Sequence, residues 1–301
     1  MKEENATICG LPGWTALTRN ETVSFINNVL LAAVNAPCAI FAFLCNLAVI
    51  VTVTKSPSLQ RPCSILLCSL ACTDFLTAVI AQPMFVVWRL ILPNAKESCS
   101  HQLWIFYTFH NFYAFTVGLS FVIVIIMSFD RHYALSKPLI YNTEASKEGA
   151  IKKVAFAGIV LVVNSVLIAF VLPFLIAMIV TIGSGVLMLA LPTVNYIRTW
   201  FAIRHHNNQI VNAINSQQIS ALVQREKKAA VDMGIVTFSL FAFVTPNFLN
   251  YIIYMQHYLR IHAIVYPWGI TLTLITSSIN PLIYFIRNKN LRNAFRSTMN
   301  M

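Results

Sequence analysis

Seven apolar stretches of roughly 20–28 residues run through this chain, at about 27–53, 63–88, 102–129, 153–175, 180–203, 230–255 and 264–286. About 20 apolar residues are enough for a helix to cross a bilayer. In lipid the backbone has no water to bond to, so each stretch must close its own hydrogen bonds as a helix. The charged fraction is only 10% and the hydrophobic fraction 57%, against about 25% charged residues in a soluble domain. The expected fold is an all-α membrane protein, a seven-transmembrane helix bundle. The least defined boundary is between the fourth and fifth stretches, because Val154 to Ile197 carries no charge over 44 residues. That is too long for one span and just enough for two with a tight turn, with Pro173 or Gly183-Ser184-Gly185 as the breakers.

Lysine and arginine placement predicts the orientation. With residues 1–26 extracellular and a bundle over 27–286, the inner loops and tail hold sixteen of the 21 basic residues and the outer side five: Lys2, Arg19, Arg89, Lys96 and Arg260. The net charge of +11 is then a topology signal and gives no reason to expect a nucleic-acid partner. Two glycosylation sequons, at Asn5 and Asn20, both precede the first span and agree with an outside N-terminus at the plasma membrane. No cleavable signal peptide is visible, so the first helix is expected to serve as the targeting segment. Residues 287–301 form a cytoplasmic tail. Leu291 and Phe295, one turn apart, predict a short amphipathic eighth helix lying on membrane lipids.

Asp74 is the one carboxylate expected deep within a span, and an intramembrane charge needs partners. Asn46, Ser120, Ser277 and Asn280, on three other segments, are the candidates. An oxygen-rich set around one carboxylate suits a small hard cation such as sodium, or a water cluster; it equally suits a polar plug that fixes helix packing. Arg131 follows Asp130 at the inner end of the third segment, and Glu226 stands at the foot of the sixth. Asp130 can hold the guanidinium locally and Glu226 across the bundle, a latch with two states. Pro246 and Pro281 each remove a backbone donor and are natural pivots. Tyr196 and Tyr284 lie near the inner ends, within reach of that arginine or of water if the helices rearrange.

Together these residues resemble the rhodopsin-like (class A) G-protein-coupled receptors across nearly the whole chain. Asn46, Leu70-Ala71-Cys72-Thr73-Asp74, Asp130-Arg131-His132, Pro138-Leu139-Ile140-Tyr141, Arg225-Glu226-Lys227-Lys228 and Asn280-Pro281-Leu282-Ile283-Tyr284 are each similar to a family motif. The resemblance implies an extracellular ligand, helix rearrangement and a heterotrimeric G protein, with Arg131 engaging its α-subunit and Leu139 packing into it. There are departures. Phe106 stands where the family's third-helix cysteine is usual, Val244 where the sixth-helix tryptophan is usual, and no cysteine follows Cys99. The missing bridge, short second outer loop and altered fifth helix look like the melanocortin, cannabinoid and adenosine receptor group.

By the same resemblance the ligand pocket is walled by Trp88, His110, Tyr113, Asn247, Phe248, Tyr251, Tyr266 and Ile270. Tyr113 occupies the position that carries Asp in amine receptors, so an amine is not expected. A lipid, an amide-like small molecule or a peptide remains open. Cys9 and Cys99 are the two cysteines on the oxidising side, and a disulfide between them is expected.

Other functions fit less well. A retinal protein needs a Schiff-base lysine in the seventh segment, and 264–286 has none. A transporter would be expected to show repeated halves and several midplane polar breaks. No nucleophile or metal-ligand spacing suggests an enzyme, and no cofactor is implied beyond the possible sodium ion. A constitutively active, ligand-free receptor is the alternative within signalling, since the usual tryptophan and outer bridge are both absent.

Overall fold

The computed structural model describes residues 21–90, 99–167, 174–212, 217–256 and 262–299, and among them every element is helical. Among the described residues seven helices are long and apolar enough to cross a membrane. We number the helices α1 (Glu21–Lys55), α2 (Pro62–Leu90), α3 (Cys99–Ser136), α4 (Lys147–Val166), α5 (Phe174–Asn212), α6 (Gln217–Gln256), α7 (His262–Arg287) and α8 (Lys289–Met299). A short loop helix, Pro138–Glu144, follows α3. Local chemistry sets several helix starts. Proline opens α2 and the loop helix, where its missing N–H costs nothing. Ser146 Oγ accepts from Gly149 N at 3.0 Å to cap α4, and Asn288 Oδ1 accepts from Leu291 N at 3.1 Å ahead of α8.

α3 is the central helix, packed against α2, α4, α5 and α6, while α7 closes the ring between α6 and α1. Two apolar cores stack along the bundle. One, at the Arg131 end, joins Leu66, Leu70, Ile123, Met127, Leu240 and Tyr284. The other, at the Trp88 end, joins Phe85, Trp88, Phe106, Phe109, Ile270 and Leu274. Large apolar side chains also cover the outside, Phe238 being 74% exposed and Phe156 69%. Such a surface is stable only against lipid. α8 tucks under α1 and α7, with Leu291 buried, the Phe295 ring 5.3 Å from that of Phe285, and Arg292 Nη1 donating to the Phe285 carbonyl at 2.8 Å. That guanidinium satisfies one of the last carbonyls of α7 and complements its dipole.

Two features depart from expectation. Gly183-Ser184-Gly185 does not break the chain: it lies inside α5, which begins at Phe174 rather than 180. Glycine weakens a helix in water by exposing backbone, but in an apolar medium an unmade hydrogen bond costs more than glycine's entropy. Pro173 lies outside the described residues. Second, α2 is not regular. Thr77–Ala81 forms a π-helical turn, which loops in an extra residue and turns the half of α2 beyond it. Beyond that turn, Gln82, Phe85, Trp88 and Arg89 are the buried residues, a spacing of three to four that defines one face.

Gly185 has a packing role. A Cβ there would stand 2.5 Å from Cε2 of Phe248 on α6. Gly185→Ala is expected to cost about 1–3 kcal/mol through overpacking, whereas Gly183→Ala, which meets nothing within 4 Å, should be neutral or slightly stabilising. Thermal unfolding of the two purified variants in detergent checks the contrast.

Candidate functional site

Three groups of polar or aromatic side chains are stacked through the bundle. At the end of α3, Arg131 is buried, 4% exposed. Its Nε donates to Asp130 Oδ2 at 3.2 Å, its Nη2 bonds to the same oxygen, and Nη2 also donates to the Tyr141 hydroxyl at 2.9 Å. Tyr141 in turn donates to the Asp130 carboxylate, at 3.0–3.1 Å, and the guanidinium carbon lies 5.6 Å from the Tyr141 ring centroid. Burial pushes the Tyr141 phenol above its usual range, against the opposing pull of the Arg131 charge, so it stays a donor at neutral pH. The Pro138-to-Tyr141 motif was legible in the sequence, but Tyr141's place between the two charges was not, because it depends on how the loop helix folds back on α3. The side chains of Leu139 and Glu226 lie outside the described residues, so the expected partnership of Arg131 and Glu226 is not described.

Beside Arg131 is a cavity of about 760 Å³ walled by α1, α2, α3, α6, α7 and α8. Among the described residues six basic ones line it, Lys55, Arg61, Arg131, Lys228, Arg287 and Lys289, against one acid, Asp232. Across its rim Arg287 Nε at the end of α7 donates to Asp232 Oδ1 on α6 at 2.8 Å. Nothing in the sequence singled out this pair. Asp232 is six residues, under two turns, beyond Glu226, and only the packing of α6 against α7 brings it to Arg287. α6 is also notched: a Cβ on Gly234 would overlap the Tyr196 ring, so Tyr196 on α5 lies directly against the α6 backbone.

Midway along the bundle, Asn280 Nδ2 on α7 donates to Asp74 Oδ2 on α2 at 2.9 Å, with both side chains buried. Asn46 Nδ2 on α1 donates to the Ser277 carbonyl at 2.9 Å. The two serines expected around Asp74 bond elsewhere. Ser277 Oγ donates to the Leu274 carbonyl at 2.7 Å, while Ser120 Oγ donates to the Thr116 carbonyl at 3.0 Å and lies 2.9 Å from Thr73 Oγ1. Within an apolar helix a serine finds its nearest acceptor one turn back on its own backbone. Asn46 Oδ1, Asn280 Oδ1 and the Tyr284 hydroxyl are buried with no hydrogen-bond partner among the described residues. Pro281 follows Asn280, inside α7.

At the Trp88 end the expected pocket residues form an aromatic cluster. The Trp88 ring lies 5.2 Å from His110, 5.5 Å from Phe106 and 5.5 Å from Phe109, and the rings of Tyr113 and Phe109 stack at 5.7 Å. His110 and Tyr266 are parallel at 6.4 Å, Ile270 is fully buried, and Asn247 Nδ2 donates to the Tyr113 hydroxyl at 2.9 Å. Phe248, one residue on from Asn247 and so turned about 100° around α6, lies against Gly185 of α5. Tyr251's side chain, Cys99's side chain, Cys9, Asn5 and Asn20 lie outside the described residues, and with them the expected disulfide and glycans.

Residues 45–175 match the family model described as 7 transmembrane receptor (rhodopsin family). The chain is 23% identical to "Trace amine-associated receptor 365" of Petromyzon marinus over 91% of its own length and 80% of that protein's. It is 25% identical to "Trace amine-associated receptor 7d" of Mus musculus (85% and 78% covered) and 25% identical to "Olfactory receptor 4K17" of Homo sapiens (92% and 89%). The chain is similar to rhodopsin-like G-protein-coupled receptors, and these matches support a G-protein-coupled receptor function. With its seven apolar helices it is a multi-pass membrane protein, and the expectation of a seven-helix receptor made from Asp130-Arg131 and Asn280-Pro281 agrees with the comparisons.

For this receptor the Asp232–Arg287 pair joins α6 to α7 across the cavity rim. A partly exposed pair is worth about 1 kcal/mol, a factor of about five in a two-state ratio. Asp232→Asn should therefore raise ligand-free G-protein activation about fivefold at equal surface expression, and the swapped pair Asp232→Arg with Arg287→Asp should bring it back down. Nucleotide exchange on a G protein in membranes carrying each variant reads both.

Proposed function

We propose that the Trp88 end faces outside and takes up a small-molecule ligand, and that the Arg131 end faces the cytoplasm and engages the α-subunit of a heterotrimeric G protein, with the receptor in the plasma membrane. The observation that carries this reading is the basic cavity beside the buried Arg131. An excess of positive charge in a walled cleft attracts an acidic or carboxylate-ended segment, and α6 stands at its rim. Sixteen basic residues on that side support the orientation. Asp130, Arg131, Leu139, Tyr196, Glu226, Asn280, Pro281 and Tyr284 are the switch residues in this reading, and Pro246 and Pro281 the pivots. Arg131→Gln is expected to reduce ligand-free and ligand-driven G-protein activation at least about tenfold, since it removes a charged donor. Unchanged nucleotide exchange at equal surface expression would show that coupling does not pass through Arg131.

The amine for which the Petromyzon marinus and Mus musculus relatives are named does not transfer to this chain's pocket. Tyr113 is buried there and bonded to Asn247, with no carboxylate at that position to meet an ammonium group. The grouping with melanocortin, cannabinoid and adenosine receptors is supported by Phe106 and the absent outer cysteine. Ligand-free signalling is the second reading, favoured by Val244, a buried aliphatic residue where the family usually has tryptophan. High basal exchange that no compound alters would select it.

Asp74 with Asn280 and the free oxygens of Asn46 and Asn280 forms an oxygen-only set that fits a sodium ion. Ser120 adds a hydroxyl bonded to Thr73 next to Asp74, and Ser277 a carbonyl already bonded to Asn46. An ion shifts a two-state equilibrium only through differential affinity. Millimolar sodium is expected to lower agonist affinity, and Asp74→Asn to remove that dependence. Agonist binding indifferent to sodium in the unaltered receptor would leave Asp74 as a packing residue alone.

A further inference from the structure

Three charged side chains are buried among the described residues: Asp74, Arg89 and Arg131. Asp74 is met by Asn280 and Arg131 by Asp130 and Tyr141. Arg89 is met by neither a carboxylate nor an acceptor among the described residues. It is 6% exposed, its Nε has no hydrogen-bond partner, and its guanidinium carbon lies 5.3 Å from the Trp88 ring centroid. Arginine stays protonated in proteins. Near a helix end its long side chain would ordinarily snorkel to water. Here the π-helical turn at Thr77–Ala81 rotates the rest of α2 so that Arg89 shares the inward face of Phe85 and Trp88.

A desolvated cation held over an indole, with no counter-charge among the described residues, is costly unless something that binds supplies the charge. The same end of the bundle holds two more unmatched groups. Gln82, fully buried on the same face of α2, donates to the Leu274 carbonyl at 3.3 Å but its Oε1 has no partner among the described residues, and neither does Asn247 Oδ1. The surrounding wall is aromatic: Phe106, Phe109, His110, Tyr113 and Tyr266. A ligand complementary to these groups carries an anion at one end, an apolar or aromatic body, and a hydrogen-bond donor.

The geometry points to Arg89 as the counter-ion for an acidic ligand, a small aromatic or aliphatic carboxylate whose oxygens meet the guanidinium while its body lies on Trp88 and its aromatic neighbours. The forked donors of arginine match a carboxylate in plane. The inference rests on the Trp88 end being the ligand mouth. It also gives this receptor the opposite charge preference from an amine receptor: there is no acid at Tyr113, and there is a buried base at Arg89.

The test uses the full chain and three matched probe pairs: 3-phenylpropanoate, indole-3-acetate and decanoate, each against its primary amide. Binding is read as the rise in melting temperature of the purified receptor, and signalling as nucleotide exchange in membranes. At least one acid should act at about 10- to 100-fold lower concentration than its amide, the span expected of a charge-assisted contact. Arg89→Gln should bring that ratio close to one at undiminished surface expression. Should that variant fail to reach the surface, Arg89→Lys, which keeps the charge and loses the fork, should reduce the ratio. Without any probe, Arg89→Met should melt no lower than the unaltered receptor. Acids no better than amides, acids without effect on melting at millimolar concentration, an acid preference that survives Arg89→Gln, or an Arg89→Met protein that melts several degrees lower would each overturn the inference. The Arg131→Gln receptor separates this result from the coupling scheme: acid-induced stabilisation should persist there even where nucleotide exchange is lost.

Discussion

The bond from Asn280 to Asp74 is the constraint around which the bundle is arranged. It is buried, it is charge-assisted, and it joins α2 to α7 at the residue before Pro281, where α7 lacks a backbone donor. A carboxylate in lipid is tolerated only where such a partner waits for it, so the two helices are fixed in register at this level. The irregularities of both helices lie close to it. The π-helical turn begins three residues after Asp74, and Pro281 follows Asn280 directly. On one side of this tie the rotated part of α2 presents Phe85, Trp88 and Arg89 to the aromatic cluster. On the other, Tyr284 and Arg287 continue α7 to the basic cavity.

The charges near that cavity fall into two kinds. Arg131 is buried, and two of its partners, Asp130 and Tyr141, come from its own helix and the adjoining loop. The Asp232–Arg287 pair instead bridges two helices at a half-exposed rim, so any separation of α6 from α7 must break it. A partly exposed, screened bond between two helices is weaker than a buried one and is the one that a separation of those helices would cost.

The α5–α6 seam is shaped by absence. Gly185 makes room for Phe248, and Gly234 makes room for Tyr196. With lipid and core equally apolar, helices in a membrane associate through close packing rather than hydrophobic burial. A ring seated in a glycine notch gives that packing and can leave it by rotation of one side chain.

The seven spans, the pairing of Asp130 with Arg131, the membership of Asp74 and Asn280 in one polar layer, and the terminal amphipathic helix were all legible in the sequence. Length, hydropathy and the scarcity of charge fix these, since a charge in an apolar run has few places to go. Which face of each helix turns inward was not legible. A transmembrane helix meets apolar surroundings on every side, so the 3.6-residue periodicity that marks a buried face in a soluble helix is weak. That is why the contact of Phe248 with Gly185, the bonds from Ser120 and Ser277 to their own backbones, and the unbroken passage of Gly183-Ser184-Gly185 through α5 all came from the packed structure. It is also why Arg89, one outer basic residue among five in the sequence, gave no sign of being buried. Its position depends on one extra residue looped into α2, and only the packed bundle decides where that rotation leaves it.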